Sequence, residues 1–196
     1  MGQKRIAKVQ GVLDQLHLDA FLVTVEFNLH YLTGFANVGG DGCLLITDDQ
    51  SFMITDARYE TEMKAELDPQ ITLMITRDYY GTVVKLAADQ NLSVIGFEDT
   101  LPYVIWSMLD EQLAADFVGL HAVVDHLREV KDADEIAKLR RAIRLSCEGY
   151  DALLPNVHVG MTEIEVANKL DAWMRAHGST GPSFDTIVAS GYRSAE

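Results

Sequence analysis

The sequence predicts an α/β fold, a mixed sheet covered by helices, followed by the first, incomplete part of an α+β domain. Over the first 124 residues, five or six short apolar runs alternate with stretches whose apolar residues recur at helical spacing. This order is typical of helices packed on a mixed sheet. Beyond residue 131, two amphipathic helical patterns precede a single apolar run. We expect that run to be one strand of a second sheet.

The chain begins with a helical pattern over roughly residues 3–17 that has one apolar face. The continuous apolar run Ala20–Thr24 is typical of a strand buried on both faces. Asn28–Phe35 is expected to form a short helical turn closed by Gly34. The loop Gly39–Gly42 lacks the Gly-Lys-Ser/Thr sequence and the following helix of a phosphate-binding loop, which excludes that role.

Two neighbouring strands, Cys43–Thr47 and Ser51–Thr55, are joined by Asp48-Asp49-Gln50, which is a hairpin signal. Asp56 follows, and we expect its carboxylate to cap a helix over 57–67. The alternative is that Asp56 and Arg58 face a cleft at the strand end. The remaining pattern predicts strands at 71–76, 93–98 and 116–124 and helices at 79–90 and 102–115.

The second region begins with two capping-box spacings, each followed by a helix with one apolar face. These helices are expected over about 133–154 and 163–177. A Gly-Pro pair then breaks the helical pattern, and Phe184–Ala189 is predicted to be a buried strand. The capping boxes pair Asp132 with Glu135 and Thr162 with Glu165.

Acidic residues dominate the charge, which is formally −14, in a chain that is 48% hydrophobic and 23% charged. This balance argues against nucleic acid and anionic membrane surfaces as partners, since both require basic patches. No apolar run of 18 residues and no signal-peptide pattern is present, so we expect a cytoplasmic protein. Cys43 and Cys147 lie in apolar segments and are expected to be buried free thiols.

No group of residues forms a recognisable catalytic or metal-binding motif. None of the six histidines lies in an H-x-H or H-E-x-x-H arrangement. Asp125, His126 and Glu129 cluster near the end of the first region, where a solvated surface is favoured over a metal site. Ser190 lacks the Gly-x-Ser-x-Gly elbow of a nucleophile, and Cys147, in mid-helix, is expected to be inert.

The run FDTIVASGYRSA at residues 184–195 resembles the entry strand of the pita-bread metallopeptidases, the family of Xaa-Pro dipeptidases (prolidases) and Xaa-Pro aminopeptidases. Four earlier phrases resemble, in the family's order, the N-terminal domain of these peptidases and of creatinase. The similarity runs along essentially the whole chain. It implies a creatinase/prolidase-like N-terminal α/β domain at 1–127 and a truncated start of the pita-bread catalytic domain at 128–196. The four phrases are LDAFLV at 18–23, YLTGF at 31–35, ITDARY at 54–59 and IGFE at 95–98.

The resemblance implies the N-terminal portion of a metal-dependent Xaa-Pro dipeptidase, which hydrolyses the bond preceding proline in short peptides. The whole enzyme would hold two divalent metal ions, manganese or cobalt, and form a homodimer. In the family, a Pro-His-Gly with the catalytic histidine follows this motif, and five metal ligands come later. Glu196 corresponds to the residue before that proline. We therefore expect no catalytic residue and no metal ligand in these 196 residues, and an isolated chain that is inactive.

Two residues are implied to contact substrate. By resemblance, Phe184 lines the pocket for the residue preceding proline, and plain core packing is its equal alternative. His30 and Tyr31 are implied to lie on an N-terminal loop that approaches the partner's active site in similar dimers.

Three other functions remain open. The fragment of an Xaa-Pro aminopeptidase is less favoured because the first domain begins directly, without an additional leading segment. A creatinase-like hydrolase shares the N-terminal phrases and keeps the fold without metal. The third is a non-catalytic binding or dimerisation module, which requires a well-packed second region. Exposed apolar faces on the helices at 133–154 and 163–177 would count against it.

Overall fold

The structure is a computed structural model that describes residues 2–35 and 40–195. Gly39 of the predicted loop and Glu196 lie outside the described residues. The chain divides into two compact units, Met1–Val130 and Lys131–Glu196.

The first unit is an α/β domain built on one six-stranded sheet, which confirms the predicted fold class. The strands are β1 Ala20–Val23, β2 Gly42–Thr47, β3 Ser51–Thr55, β4 Thr72–Ile75, β5 Val94–Glu98 and β6 Asp116–Leu120. The helices are α1 Gly2–Leu16, α2 Glu26–Thr33, α3 Glu60–Glu66, α4 Tyr79–Asp89, α5 Tyr103–Gln112 and α6 Val123–Glu129. The strand order is β4-β3-β2-β1-β5-β6.

Strand β2 is antiparallel to both of its neighbours, and every other pairing in the sheet is parallel. Strands β1, β3, β4, β5 and β6 therefore all end at the same side of the sheet, which we call the carboxyl edge. Because β2 runs the other way, the residues that lead into β2 lie at the carboxyl edge as well.

Both faces of the sheet are covered, so each inner strand is apolar on both sides. In β1, Phe21 and Val23 pack with α1, α2 and α6, whereas Ala20 and Leu22 pack with α4 and α5. All four residues are fully buried, as the continuous apolar run predicts. Burying each large apolar side chain of this kind contributes about 1.5–3 kcal/mol.

The second unit consists of α7 Ala133–Leu153 and α8 Glu163–Ala176, with short 3-10 turns at Leu154–Asn156 and Gly191–Ala195. Both predicted capping boxes are confirmed. The Asp132 carboxylate accepts from the Glu135 N–H at 2.9 Å, and Thr162 Oγ1 accepts from the Glu165 N–H at 3.3 Å.

The predicted strand Phe184–Ala189 is wrong, because this segment has no regular secondary structure. Phe184 is 74% exposed and Ile187 is 83% exposed. A strand needs a neighbour to satisfy its backbone groups, and the described part of the second unit contains no other strand. Residues 184–189 therefore have the composition of a strand, but the described part of the second unit has no strand with which they could pair.

Three smaller predictions are also wrong. The strand at 116–124 ends at Leu120, and α6 follows after Ala122, whose φ of 54° turns the chain. Cys43 is buried as predicted, but Cys147 is exposed on α7. His30 and Tyr31 lie on the helix α2 rather than on a loop, and this helix ends at Gly34 as predicted.

Candidate functional site

The carboxyl edge collects polar side chains from several strand ends. In open α/β sheets, ligands bind in crevices outside the carboxyl ends of the strands. Two clusters lie at this edge, one after β3 and β4 and the other after β1 and β5.

Asp56 directly follows β3 and is the centre of the first cluster. Its Oδ1 accepts from the Arg58 N–H at 2.9 Å and from Arg58 Nε at 3.0 Å. Its Oδ2 accepts from Arg58 Nη2 at 2.6 Å and from the Tyr79 hydroxyl at 2.7 Å. These donors take up the carboxylate, so the prediction that Asp56 caps a helix is wrong. Helix α3 begins only at Glu60 and has no side-chain cap.

Arg58 also connects this cluster to the residues that lead into β2. Its Nη2 donates to Asp41 Oδ1 at 2.6 Å, and the Tyr59 hydroxyl donates to Asp41 Oδ2 at 2.9 Å. Hydrogen bonds from Arg58 hold the pKa of both Asp41 and Asp56 below their ordinary value of 3.8. The same contacts raise the pKa of Arg58. Asp41, Asp56 and Arg58 are therefore all charged near neutral pH.

A cleft of about 440 Å³ opens beside this cluster, lined by Asp56, Ala57, Arg58, Arg77 and Tyr79. The structure thus favours the alternative in which Asp56 and Arg58 face a cleft at the strand end. Sequence reasoning missed Arg77 and Tyr79. The signal that identifies them is their position just after β4, the parallel neighbour of β3.

The second cluster is centred on Glu98, the last residue of β5, which is 6% exposed. Its Oε2 accepts from the N–H groups of Thr24 and Val25, both at 2.7 Å, at the start of α2. Its Oε1 accepts from Asn28 Nδ2 at 2.7 Å. Asn28 also donates to Asp125 at 3.1 Å and accepts from Arg128 at 2.8 Å. Sequence reasoning missed this cluster, because its members lie far apart in the chain.

The two residues predicted to contact substrate lie in different units: Phe184 in the second and His30 in the first. Phe184 lines a cavity of about 310 Å³ within the second unit, together with Tyr150, Leu170 and Met174. Because its side chain is largely exposed, the structure does not pack Phe184 in a core. His30 is exposed in the last turn of α2, and among the described residues it joins neither polar cluster.

The described ranges offer no ligand set for a metal ion. Within them, no three or more His, Cys, Asp or Glu side chains are grouped so as to hold one. His126 of the predicted surface cluster pairs with Glu129 at 3.2 Å, and Asp125 pairs with Arg128 at 3.0 Å. Across residues 2–35 and 40–195, none of the helices combines the length and apolarity that crossing a bilayer takes.

Comparison with known proteins finds relatives along the whole chain. An uncharacterised peptidase of Bacillus subtilis is 30% identical over 197 aligned residues, covering 97% of this chain and 54% of the relative. An Xaa-Pro dipeptidase structure from Bacillus anthracis superposes with a TM-score of 0.92 at 30% identity, covering 100% of this chain and 55% of that one. An X-Pro aminopeptidase structure from Thermotoga maritima superposes with a TM-score of 0.83 at 29% identity, covering 97% of this chain and 54% of that one.

This chain spans about half the length of the curated relatives that it matches. Residues 137–196 match the family model of metallopeptidase family M24. Residues 5–130, which contain both polar clusters, match the model of the creatinase/prolidase N-terminal domain. The chain therefore belongs to the creatinase/prolidase N-terminal domain family and continues into the beginning of an M24 metallopeptidase domain.

Proposed function

We propose that this chain is the N-terminal portion of a cytoplasmic, homodimeric Xaa-Pro dipeptidase that hydrolyses the bond preceding proline in short peptides. The observation that carries the proposal is the superposition with the Bacillus anthracis Xaa-Pro dipeptidase, which covers 100% of this chain at a TM-score of 0.92. In this proposal, the N-terminal domain occupies residues 1–127, and the start of the catalytic domain occupies 128–196.

The whole enzyme would use two divalent metal ions, manganese or cobalt, which supply a metal-bound hydroxide near neutral pH. The match to the M24 metallopeptidase model over 137–196 supports a metal-dependent reaction. We assign no step to the described residues, since they hold no ligand set. The contribution proposed for this chain is to substrate binding, through Phe184 and, from α2, through His30.

The proposal is preferred to the non-catalytic module because of the apolar face of α7. That module requires well-packed helices, yet Ile143 is 61% exposed, Tyr150 is 55% exposed and, on α8, Ile164 is 69% exposed. A row of exposed apolar residues marks a surface that binds protein. The Xaa-Pro aminopeptidase remains the second candidate, since the Thermotoga maritima enzyme superposes with a TM-score of 0.83.

The first test is to read the encoding DNA beyond the codon for Glu196. The proposal predicts Pro-His-Gly directly afterwards and metal-ligating carboxylates and a histidine later. A stop codon there would favour the binding module instead.

The second test uses the protein encoded by the complete reading frame. It measures the release of proline from Ala-Pro with manganese or cobalt added. A dipeptidase cleaves Ala-Pro, whereas an aminopeptidase prefers a longer peptide such as Ala-Pro-Ala. We expect no cleavage by the 196-residue chain alone, and metal-dependent hydrolysis by that pure chain would refute this part of the proposal. Phe184→Ala in the whole protein is expected to raise KM for Ala-Pro, and Tyr192→Ala, an exposed aromatic nearby in the sequence, is its control.

A further inference from the structure

We propose that the cleft at the ends of β3 and β4 binds a carboxylate group, which is held by the guanidinium groups of Arg77 and Arg58. This inference concerns the first unit and does not depend on the proposed peptidase activity. The cleft is lined by Asp56, Ala57, Arg58, Arg77 and Tyr79.

Arg77 is the first reason. Its side chain is exposed at the mouth of the cleft, two residues after the end of β4. Within the described ranges its guanidinium makes no hydrogen bond and no ion pair. In a chain with a formal charge of −14, an unpaired arginine that lines a cleft is a candidate ligand for an anion, because a guanidinium presents a planar fork of donors that fits a carboxylate.

Arg58 is the second reason, because its side chain is already held in place. Its Nε and Nη2 donate to Asp56, and Nη2 also donates to Asp41 at 2.6 Å. None of these bonds to Asp41 and Asp56 uses Nη1, and the Tyr79 hydroxyl lies beside the same guanidinium. A ligand that accepts from Nη1 therefore binds a group that is already oriented, which lowers the entropic cost of binding.

The charge balance favours a monoanion. Arg58 and Arg77 bring two positive charges to the cleft, and the Asp56 carboxylate brings one negative charge. Asp41 lies behind Arg58 and adds a second negative charge. A carboxylate meets less repulsion in this setting than a phosphate dianion does, since like charges at short range disfavour each other.

The dimensions and the other lining groups favour a small ligand. A cleft of about 440 Å³ lies within the usual range for small-molecule sites. Apart from the charged groups, the lining consists of Ala57 and Tyr79. The Tyr79 hydroxyl donates to Asp56 at 2.7 Å, so its hydrogen is not available to the ligand. The carboxylate belongs either to a free acid, including a peptide terminus, or to an acidic side chain.

The test is an NMR titration of the ¹⁵N-labelled 196-residue chain, in which acetate replaces chloride at constant ionic strength. The resonances of Arg77 Nε–Hε and Arg58 Nε–Hε are expected to shift and to saturate together. Arg77→Gln is expected to weaken binding about tenfold, because a hydrogen bond to a charged group is lost. Arg77→Lys keeps the charge without the fork and is expected to bind with intermediate affinity.

The matched control is Arg140→Gln, which removes the same charge from an exposed arginine on α7 and is expected to leave acetate affinity unchanged. Two further probes separate the sources of the carboxylate. N-acetylalanine presents a terminal carboxylate, and a glutamate blocked at both ends presents only a side-chain one. The tighter probe identifies the source. Shifts that do not saturate, or equal affinity in wild type and Arg77→Gln, would overturn the proposal.

Discussion

Glu98 Oε1 accepts a hydrogen bond from Asn28 Nδ2 at 2.7 Å, and this bond joins the end of β5 to the first turn of α2. Asn28 is fully buried and Glu98 is 6% exposed. The other oxygen of Glu98 accepts from the N–H groups of Thr24 and Val25. The carboxylate therefore satisfies backbone donors at the start of a helix whose N-cap residue, Val25, makes no side-chain capping bond.

Glu98→Gln is expected to lower the free energy of unfolding by about 1–3 kcal/mol, because one of its buried acceptors is replaced by a donor. The measurement is urea unfolding at pH 7. Glu111→Gln makes the same change at an exposed position on α5 and is expected to shift stability by less than about 0.5 kcal/mol. Equal effects of the two substitutions would contradict the role given to Glu98.

Gly96→Ala is expected to destabilise the first unit by about 1–3 kcal/mol through overpacking. A Cβ at this position would lie 2.9 Å from both Leu18 Cδ1 and Phe21 Cδ2. Gly11→Ala in α1 is the matched control, since nothing lies within 4 Å of its Cβ. This second change is expected to stabilise the protein by about 0.5–1 kcal/mol, because alanine loses less backbone entropy in a helix. Thermal unfolding of both variants distinguishes these opposite signs.

The two cysteines are expected to react at very different rates. Burial raises the pKa of Cys43 to about 12, whereas Cys147 is exposed. At pH 8, a thiol-specific reagent is expected to modify one thiol quickly in the folded chain and the second only in denaturant. Cys147→Ser should abolish the fast reaction. A fast phase that persists in this variant would show that Cys43 is accessible.

The folded chain is expected to lose stability in acid, because Asp56 is hydrogen-bonded to Arg58 as a carboxylate. Its hydrogen bonds lower the pKa of Asp56 in the folded state below the ordinary 3.8. The pair's contribution is therefore present above pH 3.8 and is lost as the pH falls below that value. The stability difference between wild type and Asp56→Asn is expected to be larger at pH 6 than at pH 3. Asp110→Asn, at an exposed position on α5, is the matched control, because the Asp110 side chain makes no hydrogen bond and no ion pair within the described ranges; it is expected to change stability by less than about 0.5 kcal/mol.

Most of the fold follows from local patterns. The capping boxes at Asp132 and Thr162 and the doubly buried strand at Ala20–Val23 depend on residues close together in the chain, so the sequence predicts them. Phe184–Ala189 has an equally strong local pattern, but a strand forms only where another strand pairs with it. Local propensity alone cannot specify that partner.

The candidate site was harder to predict, because its contacts are not local. Capping and cleft lining were both consistent with an aspartate that follows a strand, and the donors from Arg58 and Tyr79 decide between them for Asp56. Asp41 directly precedes β2, and it lies beside Arg58 because β2 is antiparallel to β3, so that β2 begins where β3 ends. The residues next to Asp41 and Arg58 in the sequence do not show which strands pair, so they do not predict this contact.

The strand order also has a consequence for the folding pathway. Strands β1 to β4 pair with their neighbours in sequence, so each pairing closes a short loop. Strand β5 pairs with β1, where Ala20 lies opposite Ile95, and that pairing must wait for a much longer loop to close. Because the entropy of closure grows with loop length, we expect β1–β4 to form first. The folding rate should then depend on how quickly β5 docks beside β1.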